Sequence, residues 1–122
     1  MIRIWLAIAG LGGIVSVAAG ALAAHASGDP RTAELLRTGA LYGMVHAVAL
    51  IAVIGLAQGR EPRRGAAAVA GWSFAVGIAL FSGSLFAMAA SGVQWLGWVT
   101  PFGGLSLMLG WAALGALAFR RR

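Results

Sequence analysis

The side chains able to take part in chemistry are few, and most of them fall within apolar stretches of the sequence. His46 follows Thr38 and Tyr42 at intervals of four residues, which places all three on one face of a helix. It also lies nine residues beyond Arg37, about 13 Å along a helix axis. The imidazole is therefore expected inside an apolar layer, where an ionisable residue is a candidate ligand-binding or proton-transfer group.

Other polar residues are expected in the same half of the molecule. His25 is near the end of the first apolar stretch, and Thr100 is near the start of the last. Ser82 and Ser84 are separated by about 200° around a helix, so only one of them is expected to face any given site. These positions predict a periplasm-side polar cluster whose candidates are His25, Tyr42, His46, either Ser82 or Ser84, and Thr100.

A structural role for this cluster is the favoured interpretation. Neutral histidine, tyrosine and serine side chains often hydrogen-bond between membrane helices, and each bond contributes about 0.6 kcal/mol on average. The sequence has no HExxH or GxSxG pattern. Asp29 and Glu34 are predicted to be a helix cap and a headgroup-level residue rather than a catalytic pair. No catalytic residue and no enzymatic activity are predicted.

Metal and cofactor binding are also not predicted. The chain has no cysteine, which excludes disulfides, thiolate metal sites and iron–sulfur clusters. Its two histidines could in principle ligate a haem or a metal. However, His25 is expected near the membrane surface and His46 deeper, and no carboxylate accompanies either within the apolar layer.

These residues must be positioned by four long apolar stretches. The stretches are separated by short breaks that hold nearly all the charges. Hydrophobic residues make up 61% of the chain and charged residues 10%, against about 25% charged in soluble domains. Each stretch approaches the roughly 20 residues that a helix needs to cross a bilayer. The pattern predicts a single all-α membrane domain, residues 1–122, folded as a compact four-helix bundle. The stretches are Ile4–Ala26, Gly39–Ala57, Ala66–Ser91 and Trp95–Phe119.

The predicted helices run over residues 4–26, 30–57, 66–91 and 101–119. Asp29 and Pro30 form a typical N-cap and first helical position, so the second helix begins well before its apolar stretch. The fourth helix has two possible starts. With Thr100 as N-cap and Pro101 in the first turn, the favoured start is Pro101, and residues 92–99 then form an interfacial loop. The alternative is a start at Trp95 and a kink at Pro101.

The N-terminus and the arginines predict the topology. Ala24-His25-Ala26 imitates a signal-peptide cleavage site, but the preceding apolar run exceeds the usual core of 7–15 residues, so a retained first helix is predicted. With a cytoplasmic N-terminus, seven of the nine arginines lie inside and only Arg31 and Arg37 lie outside. Both termini are therefore predicted to be cytoplasmic. The net charge of +6 does not predict nucleic-acid binding, because no basic face carries interleaved aromatic residues.

Rows of small residues predict close helix packing, which drives association where lipid removes the hydrophobic force. There are more of these rows than the helix contacts within one bundle would use. We therefore expect partners besides the bilayer, either a second copy or a larger membrane complex. The leading hypothesis is a non-enzymatic structural or accessory component. The alternative is a small transporter, channel or small-molecule binder, and a dry His46 bonded to a neighbouring helix would argue against it. The packing residues are Gly12, Ser16, Gly20, Gly39, Gly43, Gly103 and Gly110.

Five segments resemble a known family, the small inner-membrane proteins called domain-of-unknown-function 423. They occur in the family's order over nearly the whole chain. Ala23 replaces the family's usual second glycine, and Gly43 stands where glutamine is common. The resemblance implies a four-helix, multi-pass protein of the bacterial inner membrane and implies no activity. The segments are Gly20-Ala21-Leu22-Ala23-Ala24-His25, Tyr42-Gly43-Met44-Val45-His46-Ala47, Leu80-Phe81-Ser82-Gly83-Ser84-Leu85, Thr100-Pro101-Phe102-Gly103-Gly104 and Gly110-Trp111.

Overall fold

Four consecutive helical spans, each long and apolar enough to cross a bilayer, make up the protein. The computed structural model describes residues 1–25 and 28–120. The predicted end of the first helix at Ala26 and the terminal Arg121 and Arg122 lie outside those residues. The predicted fold class, an all-α bundle of four membrane-spanning helices, is confirmed, whereas the orientation of the termini remains a prediction. The spans are Ile2–His25, Pro30–Ala57, Arg63–Ser91 and Gln94–Phe119.

The first two spans are uninterrupted helices, α1 (Ile2–His25) and α2 (Pro30–Ala57). Asp29 caps α2, because its Oδ1 accepts a hydrogen bond from the Arg31 backbone N–H at 3.1 Å and its Oδ2 accepts one from the Thr32 hydroxyl at 3.1 Å. The N–H groups in the first turn of a helix have no carbonyl partner within the helix, and the Asp29 carboxylate accepts from one of them. The cap explains why α2 begins so far ahead of its apolar stretch.

The third span contains three helical elements. Helix α3 (Arg63–Gly77) leads into a π-helical turn, Ile78–Ser82, and α4 (Gly83–Ser91) completes the span. In the wider turn, the Gly83 backbone N–H donates to the Ile78 carbonyl, five residues earlier. The span starts at Arg63 instead of the predicted residue 66. The apolar residues show where the chain enters the lipid layer, whereas the helix itself begins one turn earlier, outside that layer. The span ends at Ser91, and the next residue, Gly92, has a left-handed φ of 72° that suits a residue without a side chain.

The fourth span starts with a short 3-10 helix, Gln94–Trp98, inside the predicted interfacial loop. Helix α5 (Thr100–Ala116) follows, with a last 3-10 turn at Leu117–Phe119. Pro101 lies in the first turn of α5 and produces no kink within a longer helix. Thr100 is the first helical residue, whereas the sequence predicts it to be the N-cap. Its hydroxyl is bonded to another helix instead.

The second and third spans form the centre of the bundle. Helix α2 contacts the third span along α3, the π turn and α4. On one side α1 packs chiefly against α2, and on the other side α5 packs chiefly against α3. This arrangement leaves α1 and α5 as the peripheral helices, with broad faces available to lipid.

The largest fully buried side chains are Trp5, Leu50, Val53 and Phe74. Because successive spans alternate in direction, the chain ends and the loop between the second and third spans meet at one membrane edge. We call it the arginine-rich edge, after its described arginines, Arg3, Arg60, Arg63, Arg64 and Arg120. Trp5, near the start of α1, and Val53, near the end of α2, place much of the apolar core in the half of the bundle next to this edge.

Close backbone approach at glycines joins the spans. A Cβ added at any of six glycines would overlap a neighbouring helix. Four of these glycines were predicted packing residues, whereas Gly71, which receives the Trp5 ring, is absent from the predicted rows. The six are Gly39, Gly43, Gly71, Gly77, Gly103 and Gly110.

The buried stripe of α1 follows a different spacing from the predicted row. It consists of Trp5, Ala9, Ser16, Ala19 and Ala23. Gly12 also faces this seam, and a Cβ there would meet Ile78 and Ala47 in ordinary van der Waals contact. Intervals of three and four residues alternate along the stripe, because a helix has 3.6 residues per turn and a uniform spacing of four drifts away from the contact. Gly20 accordingly lies at its margin, where an added Cβ would be 3.9 Å from Ala40.

We predict that Gly103→Ala destabilises the bundle by about 1–3 kcal/mol, the usual cost of overpacking. The added Cβ would be 2.7 Å from the Phe81 Cα and 2.8 Å from the Leu80 carbonyl carbon. Both are backbone atoms that cannot rotate away. Gly115→Ala is the matched control on α5, because a Cβ there has nothing within 4 Å. Unfolding in mixed detergent micelles measures both variants, and equal free energies of unfolding would contradict the prediction.

Candidate functional site

His46 lies near the middle of α2 and is only 5% exposed. Its Nδ1 is 2.7 Å from the Tyr42 carbonyl oxygen, one turn earlier on the same helix. Its Nε2 is 3.0 Å from the indole nitrogen of Trp111 on α5. A carbonyl can only accept and an indole N–H can only donate. The ring is therefore the neutral tautomer with its proton on Nδ1, and both nitrogens are engaged.

Aromatic rings enclose the same imidazole. The ring centroids of Phe74 and Trp111 lie 5.5 Å and 5.9 Å from that of His46. Phe74 and Trp111 also contact each other edge to face at 5.2 Å. Phe74 is fully buried and fits where Gly110 has no side chain. His46 consequently joins α2 to α5 across a packed aromatic cluster.

Ser82, the last residue of the π turn, joins the third span to α2. Its hydroxyl donates to the Gly39 carbonyl oxygen at 2.8 Å, and the residue is almost fully buried. The approach is close because Gly39 and Gly43 present no side chains to the third span. The hydroxyl therefore gives a polar cross-link at a point where the two backbones are in near contact.

Ser84 faces a different neighbour, as its angular separation from Ser82 predicts. Its Oγ lies 2.6 Å from the Thr100 hydroxyl and donates to the Phe81 carbonyl oxygen at 3.0 Å. Thr100 can then donate to Ser84, which gives a short hydrogen-bonded chain between α5 and α4. This bond ties the first turn of α5 to the third span.

The predicted cluster is therefore divided among separate helix contacts. Tyr42 is 42% exposed and packs its ring against Phe81 at a centroid distance of 4.7 Å. His25 is exposed at the end of α1. Within residues 1–25 and 28–120, no hydrogen bond joins His25 to the other five predicted residues.

Three polar side chains outside the predicted cluster also lie at contacts between helices. Trp111 was recognised only within a family segment, although an indole N–H in the middle of a span needs an acceptor and signals a partner. Ser106 on α5 donates to the Ser73 carbonyl oxygen on α3 at 2.7 Å. Ser16 is buried against α2, and its hydroxyl has no hydrogen-bond partner among the described residues.

The charged groups lie at the two membrane edges. At the edge opposite the arginine-rich one, Arg31 donates to the Gln94 side-chain oxygen at 2.8 Å, which ties the start of α2 to the 3-10 helix. Arg37 and Glu34 form an exposed ion pair at 3.7 Å. Over the described ranges, no three His, Cys, Asp or Glu side chains are grouped so that they could hold a metal ion.

Comparisons with known proteins give a consistent family of relatives. A family model described as protein of unknown function (DUF423) matches residues 19–104. A UPF0382 membrane protein of Haemophilus influenzae is 35% identical over 121 residues, which cover 97% of this chain and 95% of the relative. The UPF0382 inner membrane protein YgdD of Escherichia coli is 34% identical over 131 residues, 98% of this chain and 94% of the relative. The UPF0382 membrane protein YwdK of Bacillus subtilis is 29% identical, with 97% and 98% covered. No solved structure matches the chain.

We predict that Trp111→Phe lowers the free energy of unfolding by at least about 0.6 kcal/mol. That is the average for a hydrogen bond between membrane helices, and the largest measured value is about 1.7 kcal/mol. Phenylalanine keeps an aromatic ring at this position but removes the N–H that donates to His46 together with part of the indole ring. A double-mutant cycle with His46→Phe isolates the bond and should give a coupling energy of the same size. Trp98→Phe is the control at an exposed indole. Strictly additive effects of Trp111→Phe and His46→Phe would show that the bond contributes nothing.

A second prediction concerns the protonation state of His46. Nitrogen NMR of histidine-labelled protein should show a neutral ring protonated at Nδ1, because Nε2 accepts from Trp111. The signal is assigned by its loss in His46→Gln. In Trp111→Phe the Nδ1 tautomer loses its partner at Nε2, so the Nε2 resonance should shift. A ring protonated at Nε2 would contradict the geometry.

Proposed function

The chain belongs to the family described as protein of unknown function (DUF423), and from that premise we propose that it is a non-enzymatic structural or accessory component of its membrane. The chain is a multi-pass inner-membrane protein, as its four spans and the names of its relatives indicate. We propose that it acts by associating with other membrane helices, either those of a second copy or those of a larger complex.

The observation that carries the proposal is that the interior polar side chains form hydrogen bonds between spans. His46, Ser82 and Ser84 each bond to a neighbouring span. Ser106 does the same between α5 and α3. Groups bonded to one another in this way hold helices together, which supports a structural role.

Glycines on the outer surface support association. On α1, a Cβ added at Gly10 or Gly13 would have nothing within 4 Å. Gly10 is exposed, on the side of α1 away from the stripe that packs against α2, and Gly13 is half-buried on the flank of that stripe. Because small residues let the backbone of another helix approach closely in lipid, this outward face suits a helix of another molecule. Leu6 and Val17 share the face by helical spacing and are exposed.

The transport hypothesis receives no comparable support. It calls for a polar cavity lined by His46. A cleft beside Leu41 and Val45 does border that residue, but its lining is apolar. The imidazole itself packs against aromatic rings and is bonded to Trp111 of another span. We therefore propose no second function.

Cysteine cross-linking in native membranes tests the proposal. The chain has no cysteine, so Val17→Cys introduces a single reactive thiol on the outward face of α1, where Val17 is 63% exposed. Leu105→Cys on α5, at a site 59% exposed, is the matched control. We expect an oxidised or bismaleimide-linked adduct from Val17→Cys and little from Leu105→Cys. The mass of the adduct distinguishes a second copy from another protein.

The same background tests the glycines directly. Gly10→Leu with Gly13→Leu should remove most of the Val17→Cys adduct while leaving the fold intact, because a Cβ at either position has no neighbour within 4 Å. Unchanged circular dichroism verifies that the variant is folded. A monomeric particle in mild detergent, together with no adduct from Val17→Cys in membranes, would refute the proposed function.

A further inference from the structure

A cleft opens between the start of the third span and the end of the fourth, at the arginine-rich edge. Its volume is about 340 Å³. Its walls are apolar along most of their length, and a single charged side chain stands at its mouth. The lining includes Gly65, Val69, Leu109, Ala113, Ala116 and Arg120.

The lining residues give the cleft a direction along the membrane normal. On α3, Val69 lies one turn deeper in the membrane than Gly65, and on α5 Leu109 lies about two turns deeper than Ala116. Arg120 follows the last turn of the fourth span, at the headgroup level. An occupant therefore needs an apolar tail directed toward the bilayer centre and an anionic group at the membrane surface.

The charge at this edge is strongly positive. Five described arginines lie there, and all five are exposed. The one acidic residue at this edge is Glu61, whose carboxylate already accepts the Gly65 backbone N–H at 3.3 Å. The next N–H groups of α3 are also engaged, since Ala66 donates to the Pro62 carbonyl oxygen at 3.2 Å. An anion at the mouth of the cleft would therefore be held by arginine side chains rather than by the backbone.

We propose that this cleft binds one anionic phospholipid, with an acyl chain between Val69 and Leu109 and the headgroup phosphate beside Arg120. A phospholipid combines an apolar chain with a phosphate at the membrane surface, which matches an apolar lining that ends at Arg120. Basic pockets between membrane helices are known to hold anionic headgroups in this way. The proposal does not depend on the proposed function, because it concerns a different surface from the outward face of α1.

Native mass spectrometry of the full-length protein tests the site. The wild type is titrated in detergent with phosphatidylglycerol or with phosphatidylcholine of identical acyl chains. We expect tighter binding of phosphatidylglycerol. Arg120→Gln should weaken it about fivefold, the effect of one arginine near an anionic surface. It should weaken phosphatidylcholine binding less, because the choline charge offsets the phosphate of that lipid. Arg37→Gln, at the opposite edge, is the matched charge control and should have no effect.

A second pair of variants tests the acyl chain. Ala116→Phe fills the cleft and should reduce the binding of both lipids, whereas Ala112→Phe, exposed on the same helix outside the lining, should not. Glycerol 3-phosphate alone should not bind, because it lacks the chain that occupies the cleft. The proposal is overturned if Arg120→Gln behaves like Arg37→Gln, if Ala116→Phe behaves like Ala112→Phe, or if glycerol 3-phosphate binds as well as the lipid. All four altered residues are exposed or partly exposed, and unchanged circular dichroism verifies that each variant is folded.

Discussion

Close approach of helix backbones is the constraint on which the rest of this structure depends. Lipid chains are as apolar as leucine, so the burial of apolar side chains contributes little free energy to the association of membrane helices. What remains is van der Waals packing and hydrogen bonding, and both act only over short distances. Gly103 meets the backbone of the π turn, Gly77 receives Leu107, and Gly71 receives Trp5. Without these contacts the hydroxyl and indole groups on neighbouring spans would be too far apart to bond.

The π turn shows how packing and polarity are coupled. It lies where Gly103 of α5 meets the backbone of the third span. It ends at Ser82, whose hydroxyl donates to the Gly39 carbonyl oxygen on α2. Two residues later Ser84 bonds Thr100 on α5. The third span thus contacts α2 and α5 through opposite faces of one short segment. Because no water is present at this depth to replace a lost bond, each hydroxyl helps fix the relative position of two helices.

Several features could be predicted from the sequence because they depend on local chemistry. The Asp29–Pro30 start of α2 follows from the needs of a helix N-terminus. The opposed directions of Ser82 and Ser84 follow from helical geometry. The partner of His46 could not be predicted, because Trp111 is distant in sequence and on another span. The π turn could not be predicted either, since apolar periodicity over five residues hardly distinguishes it from an α-helix.

The sequence by itself determined that the chain lies in a lipid bilayer, how many spans it has and which residues lie near each membrane edge. It could do so because the partition of charged and apolar groups between water and lipid does not depend on tertiary contacts. Only the tertiary structure decided what the polar residues do. It divided the predicted cluster into separate cross-links and left His25 exposed. It also brought Arg120 to the mouth of an apolar cleft that begins beside Gly65. Hydrogen bonds and clefts form between particular atoms of different spans, and their positions depend on how closely and at what rotation the helices pack.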